Sequence, residues 1–162
     1  MTIATNREAL DNGSPSGCRV RGLARQVISG AGATRTLTAA ESGAVVLFDA
    51  GTGQAFTLPA IGANDIGMEF DFLTTVIGTA AYSVITDAAT TFIGGGLFAA
   101  NATADASDLF AADITSTVRI DLDAATTGEE VGTQFTLTAL STTTWGVGGY
   151  TANTGAASTP FA

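Results

Sequence analysis

The sequence predicts an all-β domain, built as an antiparallel β-sandwich or a jelly-roll-like barrel with an extended N-terminal arm. Three observations predict it. Several short segments alternate apolar and polar residues, which places the apolar side chains on one face of a strand. Turn residues separate these segments about every ten residues, as in sandwiches and barrels. Only 13% of the 162 residues are charged, and the abundant Thr has a branched Cβ that suits a pleated surface.

The clearest strand lies at residues 68–72, where Glu69 and Asp71 fall on the face opposite the apolar side chains. A helix would spread these residues around its circumference. The same alternation returns at residues 118–123 and 135–139. Further strand candidates are the segments 36–38, 45–48, 56–58, 82–86, 91–93 and 144–150.

The connections between strands are predicted from their turn residues. Segments 45–48 and 56–58 indicate a hairpin with a loop of about five residues, and Pro59 ends the second strand because it cannot donate a ladder hydrogen bond. The glycines at 94–96 indicate a flexible turn or a close approach of two backbones. Segment 105–113 is the one place where a helical turn is expected, although its Ser and Asp residues favour a cap or loop.

Composition divides the chain into a basic arm (1–34), a β-domain (35–150) and a tail (151–162). The arm has loop composition, rich in Gly, Ser and Asn. The tail is similar, but Phe161 near its end suggests an anchor on the domain or on a neighbouring subunit. The charge follows the same division. The first 35 residues contain five arginines and two carboxylates, and the rest contains one arginine and 13 carboxylates.

The arginines of the first 35 residues are the candidate partner-binding residues. A flexible arm that orders on binding gives a large contact, and arginine pairs well with carboxylates on a partner. The alternative is that the arm folds back on its own acidic domain. The acidic body disfavours nucleic-acid binding, which requires a basic face. The five residues are Arg7, Arg19, Arg21, Arg25 and Arg35.

No combination of residues predicts catalysis, a cofactor or a metal. Histidine and lysine are absent, which removes the commonest general base and Schiff-base chemistry. The single Cys18 lies in a loop and is expected to be inert. The acidic residues between 105 and 130 lack a calcium-loop pattern and are expected to be solvated, and Trp145 is expected in the core. No apolar stretch is long enough to span a bilayer, and no secretory signal is recognisable, so we expect synthesis in a cytoplasm.

The low charge predicts that part of the surface is buried against other subunits, because an isolated domain with so few charges covers its surface poorly. A resemblance gives this assembly a context. The parts of the chain that carry it are segment 35–43, the apolar run to Asp49, segments 57–59 and 67–72, and the closing 144–148 with Trp145. Together they resemble a Thr/Gly-rich β-module of tailed-bacteriophage virion proteins. The resemblance covers about residues 35–76 and 143–149, and segment 87–131 has no counterpart in it.

The resemblance implies a non-enzymatic capsid decoration (cement) protein on the outer surface of the virion. Such a protein is a homotrimer that sits on capsomer junctions and stabilises the shell by clamping adjacent major capsid proteins. The same module occurs in tail fibres, so the alternative is a receptor-binding tail fibre or spike domain. Neither interpretation involves nucleic acid or a membrane.

Overall fold

The computed structural model describes residues 25–29, 34–101 and 106–162, which form two β-sheets around one core. Arg7, Cys18, Arg19 and Arg21 lie outside these residues. A short 3₁₀ helix (Ala39–Glu41) and a π-helical turn (Ala124–Gly128) interrupt the strands. The strands are β1 (Val27–Ser29), β2 (Arg35–Thr36), β3 (Val45–Phe48), β4 (Gln54–Thr57), β5 (Glu69–Thr74), β6 (Tyr82–Ile85), β7 (Phe92–Asn101), β8 (Ala106–Ala112), β9 (Arg119–Leu122), β10 (Gln134–Ser141) and β11 (Thr144–Asn153).

The all-β class is confirmed, but the sheets are mixed rather than antiparallel. The larger sheet has the order β1-β3-β5-β10-β11-β7-β8 and the smaller one the order β2-β4-β6-β9. The neighbours β1/β3, β3/β5, β7/β11, β2/β4 and β4/β6 are parallel. Four of these pairs lie among β1 to β6, and their direction follows from the path of the chain, since these six strands alternate between the two sheets. A chain that crosses to the other layer and returns re-enters its first layer in the original direction.

The predicted hairpin of segments 45–48 and 56–58 is wrong for the same reason. β3 lies in the larger sheet and β4 in the smaller one, so the loop between them connects the two sheets. Both strands have apolar side chains to bury, and Phe48 and Phe56 meet from opposite sheets with ring centroids 5.5 Å apart. The crossing loop is fixed by the amide of Gln54, whose Oε1 accepts from Asp49 N at 2.7 Å and whose Nε2 donates to Asp49 Oδ1 at 3.0 Å.

Two further local predictions concern strands β7 and β8 of the larger sheet: one is wrong, and for the other one of its two alternatives is confirmed. Segment 105–113 forms no helical turn but contains strand β8, which pairs antiparallel with β7. The glycines at 94–96 lie inside β7 rather than in a turn, with Gly94 opposite Gly146 and Gly96 opposite Gly148 of β11. The predicted close approach of two backbones is confirmed, since a methyl group on Gly95 would overlap the carbonyl oxygen of Val147 on β11. In both places the pairing with a neighbouring strand overrides the local preference of the residues.

The core is a cluster of aromatic rings from both sheets. Phe48 stacks on Tyr82 with centroids 4.8 Å apart, and Phe72 stacks on Phe135 at 5.2 Å. Such pairs contribute roughly 0.5–1.5 kcal/mol beyond the burial of their area. Trp145 is fully buried, as expected.

Ordered structure reaches into both predicted terminal regions. Strand β1 pairs with β3 although it lies within the segment assigned to the arm. At the other end, the tail runs along the free edge of β9. Ala162 O accepts from the amides of Val118 and Arg119 at 2.9 Å, and Asp121 N donates to Pro160 O at 2.8 Å. Phe161 packs against the core, so the anchor suggested by the sequence lies on the domain itself.

Candidate interaction surface

Arg25 contacts the chain's own sheet. Its guanidinium pairs with the carboxylate of Asp71 on β5, and its Nε donates to Gly43 O at 2.8 Å. Asp71 also accepts from the hydroxyl of Thr136 on β10. The side chain of Arg25 keeps 35% of its accessible surface. For this arginine, the structure therefore matches the alternative in which the basic segment folds back on the acidic domain.

Arg35 likewise pairs within the chain, with Glu41 of the 3₁₀ helix. Glu41 Oε2 in turn accepts from the amide of Thr38 at 2.9 Å, so the pair stabilises the start of that helix. Arg25 and Arg35 thus pair with two different carboxylates of their own chain, Asp71 and Glu41. Arg7, Arg19 and Arg21 stay candidates that lie outside the described residues.

One carboxylate expected in a solvated loop is fully buried instead. Glu129 has no exposed surface, and a methyl group built on Gly78 would overlap its Oε1. It lies near Tyr82, whose Oη is 2.8 Å from the carbonyl oxygens of both Ala50 and Val76. Burial raises the pKa of Tyr82 above its ordinary value, and the negative charges of Glu129 and Asp49 raise it further. Nothing in the local sequence around Glu129 signals this burial.

Among the residues that the structure describes, the other acidic side chains do not assemble into a cation site. In the part of the chain that the structure describes, no three side chains of Asp, Glu, His or Cys lie close enough to hold a metal ion. No helix among the described residues is long and apolar enough to cross a membrane.

An exposed apolar row crosses the outer face of the larger sheet. Tyr150 of β11 lies opposite Phe98 of β7, which lies opposite Leu109 of β8. Their side chains point away from the core because the next residues along β7 and β11, Leu97 and Thr151, are buried. The three are 45%, 54% and 64% exposed, respectively. We call Tyr150, Phe98 and Leu109 the apolar row.

Beside the apolar row, four glycines lie on the same face of the sheet and leave it without side chains there. Gly94 and Gly96 of β7 lie opposite Gly146 and Gly148 of β11. Large apolar side chains from neighbouring segments lie against these glycines. Leu140 Cδ1 would lie 2.8 Å from a methyl group on Gly146, and Ile114 Cδ1 would lie 3.2 Å from one on Gly94. Leu140 and Ile114 are themselves more than half exposed, at 57% and 53%.

The outer face of β7, β8 and β11 contains no charged side chain within these strands, although the whole chain has a net charge of −9. A contiguous exposed apolar surface of this kind is typical of an interaction site. Comparisons with protein families, characterised proteins and solved structures found no match. The case for this surface therefore depends on its own geometry.

Sequence reasoning missed this surface because its parts are far apart along the chain. The apolar row joins residues 98, 109 and 150. Segment 105–113 was not predicted as a strand, so Leu109 had no assigned face. The available signal was compositional, since the low charge indicated that some surface is covered in an assembly, without indicating which surface.

Proposed function

We propose that this chain is a non-enzymatic virion structural protein, a capsid decoration protein that binds the major capsid protein shell as a homotrimer and stabilises it. The observation that carries the proposal is the charge-free outer face with its exposed apolar row. Surface of this kind suits a permanent place in an assembly better than a free monomer in solution. The resemblance of residues 35–76 and 143–149 to virion β-modules supplies the capsid as the setting. We also propose that the two sheets pack as a sandwich.

Arg25 and Arg35 have carboxylate partners on their own chain. The proposal therefore assigns the contact with the shell to Arg7, Arg19 and Arg21, which lie outside the described residues. Hydrogen bonds to charged groups contribute about 1.5–3 kcal/mol each when formed at an interface. A shell with exposed carboxylates would therefore retain the arm.

The test uses particles assembled by a phage genome from which the gene for this chain has been deleted. We expect the purified chain to co-sediment with these particles and to raise the temperature at which they release DNA. A chain that stays in the supernatant at micromolar concentration contradicts the proposal.

A variant in which Arg7, Arg19 and Arg21 are changed to Gln tests the arm separately. We expect its affinity for the particles to fall about tenfold or more, since 1.4 kcal/mol corresponds to a factor of ten. The matched control changes Arg119 to Gln, because this arginine is 47% exposed and pairs with Asp121 at 2.5 Å in the smaller sheet. Undiminished affinity of the triple variant refutes the role of the arm.

The second candidate is a receptor-binding tail fibre or spike domain. The observation that favours it is the pair of adjacent exposed aromatic rings, Phe98 and Tyr150, because aromatic faces are common contacts in recognition surfaces. This function predicts glycan binding that Tyr150→Ala abolishes. A flat response on a glycan array, together with tight binding to particles, excludes it.

A further inference from the structure

The sheet edges of this fold are protected to very different degrees. In the smaller sheet, β2 has only two residues, and the edge of β9 is covered by residues 160–162. In the larger sheet, the edge strand β1 has three residues, whereas β8 has seven. Within the described residues, β8 pairs with β7 on one side and with no strand on the other. An open edge of this length is a template for another strand.

Strand β8 has only one of the features that block pairing at exposed edges, the charge of Asp108, which lies opposite the buried Ala99. Its sequence, ASDLFAA, contains no proline, no lysine and a single charge, Asp108. Natural edges are usually protected by such residues, by bulges or by a covering segment. The register of β8 on β7 is continuous from Ala106 to Ala112, so no bulge interrupts it. Leu109, at the centre of the strand, is the most exposed large apolar side chain of the chain's described part.

We infer that β8 pairs antiparallel with β8 of a second copy of this chain, centred on Leu109. In this register Leu109 lies opposite Leu109 of the second copy, and all seven residues find a partner. Because residues on one face stay on that face across an antiparallel pair, the two apolar rows become one continuous row of six side chains. Cross-strand apolar pairs of this kind stabilise a sheet.

A second copy suits this edge because the strand is complementary to itself. About the central Leu109, the small residues Ala106 and Ser107 meet the small residues Ala112 and Ala111. The one charge, Asp108, lies opposite Phe110 rather than opposite another carboxylate, so like charges do not face each other within the strand pair. For two chains with a net charge of −9 each, the charge-free face provides a contact with little repulsion. The shared geometry is a two-fold, isologous contact.

This contact is independent of the proposed capsid function, and it predicts that the assembly contains an even number of chains. Two-fold pairing doubles whatever unit the chain otherwise forms, so the native mass is an even multiple of 16.1 kDa. A trimer would become a hexamer, and a monomer would become a dimer.

The first experiment measures native mass by light scattering at about 100 µM for the full chain and two variants. We expect Leu109→Lys to halve the wild-type mass, because a charge at the centre of the contact faces its own copy. The control, Val131→Lys, changes a side chain that is 55% exposed and lies beside the end of β5; its mass should equal that of the wild type. A wild-type native mass that is an odd multiple of the chain mass, including that of a monomer, overturns the inference. So does an unchanged mass for Leu109→Lys.

A cross-link tests the register itself. In a Cys18→Ser background, Leu109→Cys should form a disulfide dimer under mild oxidation, because directly opposed residues lie about 4.5–5.5 Å apart at Cα, within disulfide range. The control Val131→Cys in the same background should stay monomeric on a non-reducing gel. A Leu109→Cys protein that cross-links no more than the control overturns the register. Particle binding is measured separately, so the failure of one proposal leaves the other standing.

Discussion

Replacing Gly95 by alanine tests the parallel pairing of β7 with β11, the feature of the fold least expected from the sequence. Gly95 has φ of +108° and lies directly opposite Val147. A methyl group on Gly95 would overlap the carbonyl oxygen of Val147 and lie 3.1 Å from its amide nitrogen. Backbone atoms of a central strand cannot rotate away as a side chain can, so β11 itself would have to shift.

The magnitude follows from two contributions that matched variants separate. Gly67 has a similar φ of +91° but nothing within 4 Å of the added methyl group, so Gly67→Ala carries only the conformational cost. That cost is roughly 1–2 kcal/mol. Gly95→Ala adds the overlap, and overpacking of a well-packed site costs about 1–3 kcal/mol more. Gly51 has open space and no positive φ, so Gly51→Ala should change the free energy of unfolding by about 0.5 kcal/mol or less.

The assay is equilibrium unfolding in urea, followed by the fluorescence of Trp145. This residue is the only tryptophan and is fully buried, so its emission shifts when the core is exposed to water. We expect Gly51→Ala to be the most stable variant, Gly67→Ala the next and Gly95→Ala the least stable. The free energies of unfolding of the last two should differ by about 1–3 kcal/mol. Equal stability of Gly67→Ala and Gly95→Ala would refute the close approach of β7 to β11.

Two further predictions concern the core and the tail. Because the pKa of Tyr82 is raised in the folded state, the folded chain holds a proton that the unfolded chain loses, and stability falls as the pH rises above about 10. Tyr82→Phe should reduce this alkaline loss between pH 9 and 11, whereas Tyr150→Phe should leave it at the wild-type size; equal losses in all three proteins contradict the explanation. Deleting residues 160–162 removes four backbone hydrogen bonds to the β9 edge and the packing of Phe161. We expect a loss of about 2–4 kcal/mol of unfolding free energy at neutral pH; a loss below about 1 kcal/mol would show that the tail contributes little.

Strands with strict alternation could be predicted from the sequence because the alternating pattern shows directly which side chains are buried. Glu69–Thr74 and Gln134–Ser141 follow this pattern, with alternate residues buried along each strand. The strands β7 and β8 could not be predicted in full. The glycines at 94–96 indicate either a turn or a close approach of two backbones, and only their pairing with β11 decides for the close approach within a strand.

The pairing of strands was beyond local patterns for a physical reason. Alternation tells which face of a strand is buried, and it leaves open which neighbour the strand has and in which direction. The loop between β3 and β4 has a length that suits a hairpin, yet it crosses to the other sheet because Phe48 and Phe56 bury against each other from opposite sides. The apolar row and the buried Glu129 depend on the same long-range arrangement, so the candidate surface could not be located from the sequence.

The virion proposal places the gene of this chain in a phage genome, and its most direct test is immunogold electron microscopy of the particles of that phage, with an antibody against this chain. The account predicts gold on the capsid surface in intact particles and none on particles from which the gene has been deleted. Labelling of the tail or its fibres would contradict the capsid assignment in favour of the second candidate, and unlabelled intact particles would contradict a place in the virion altogether.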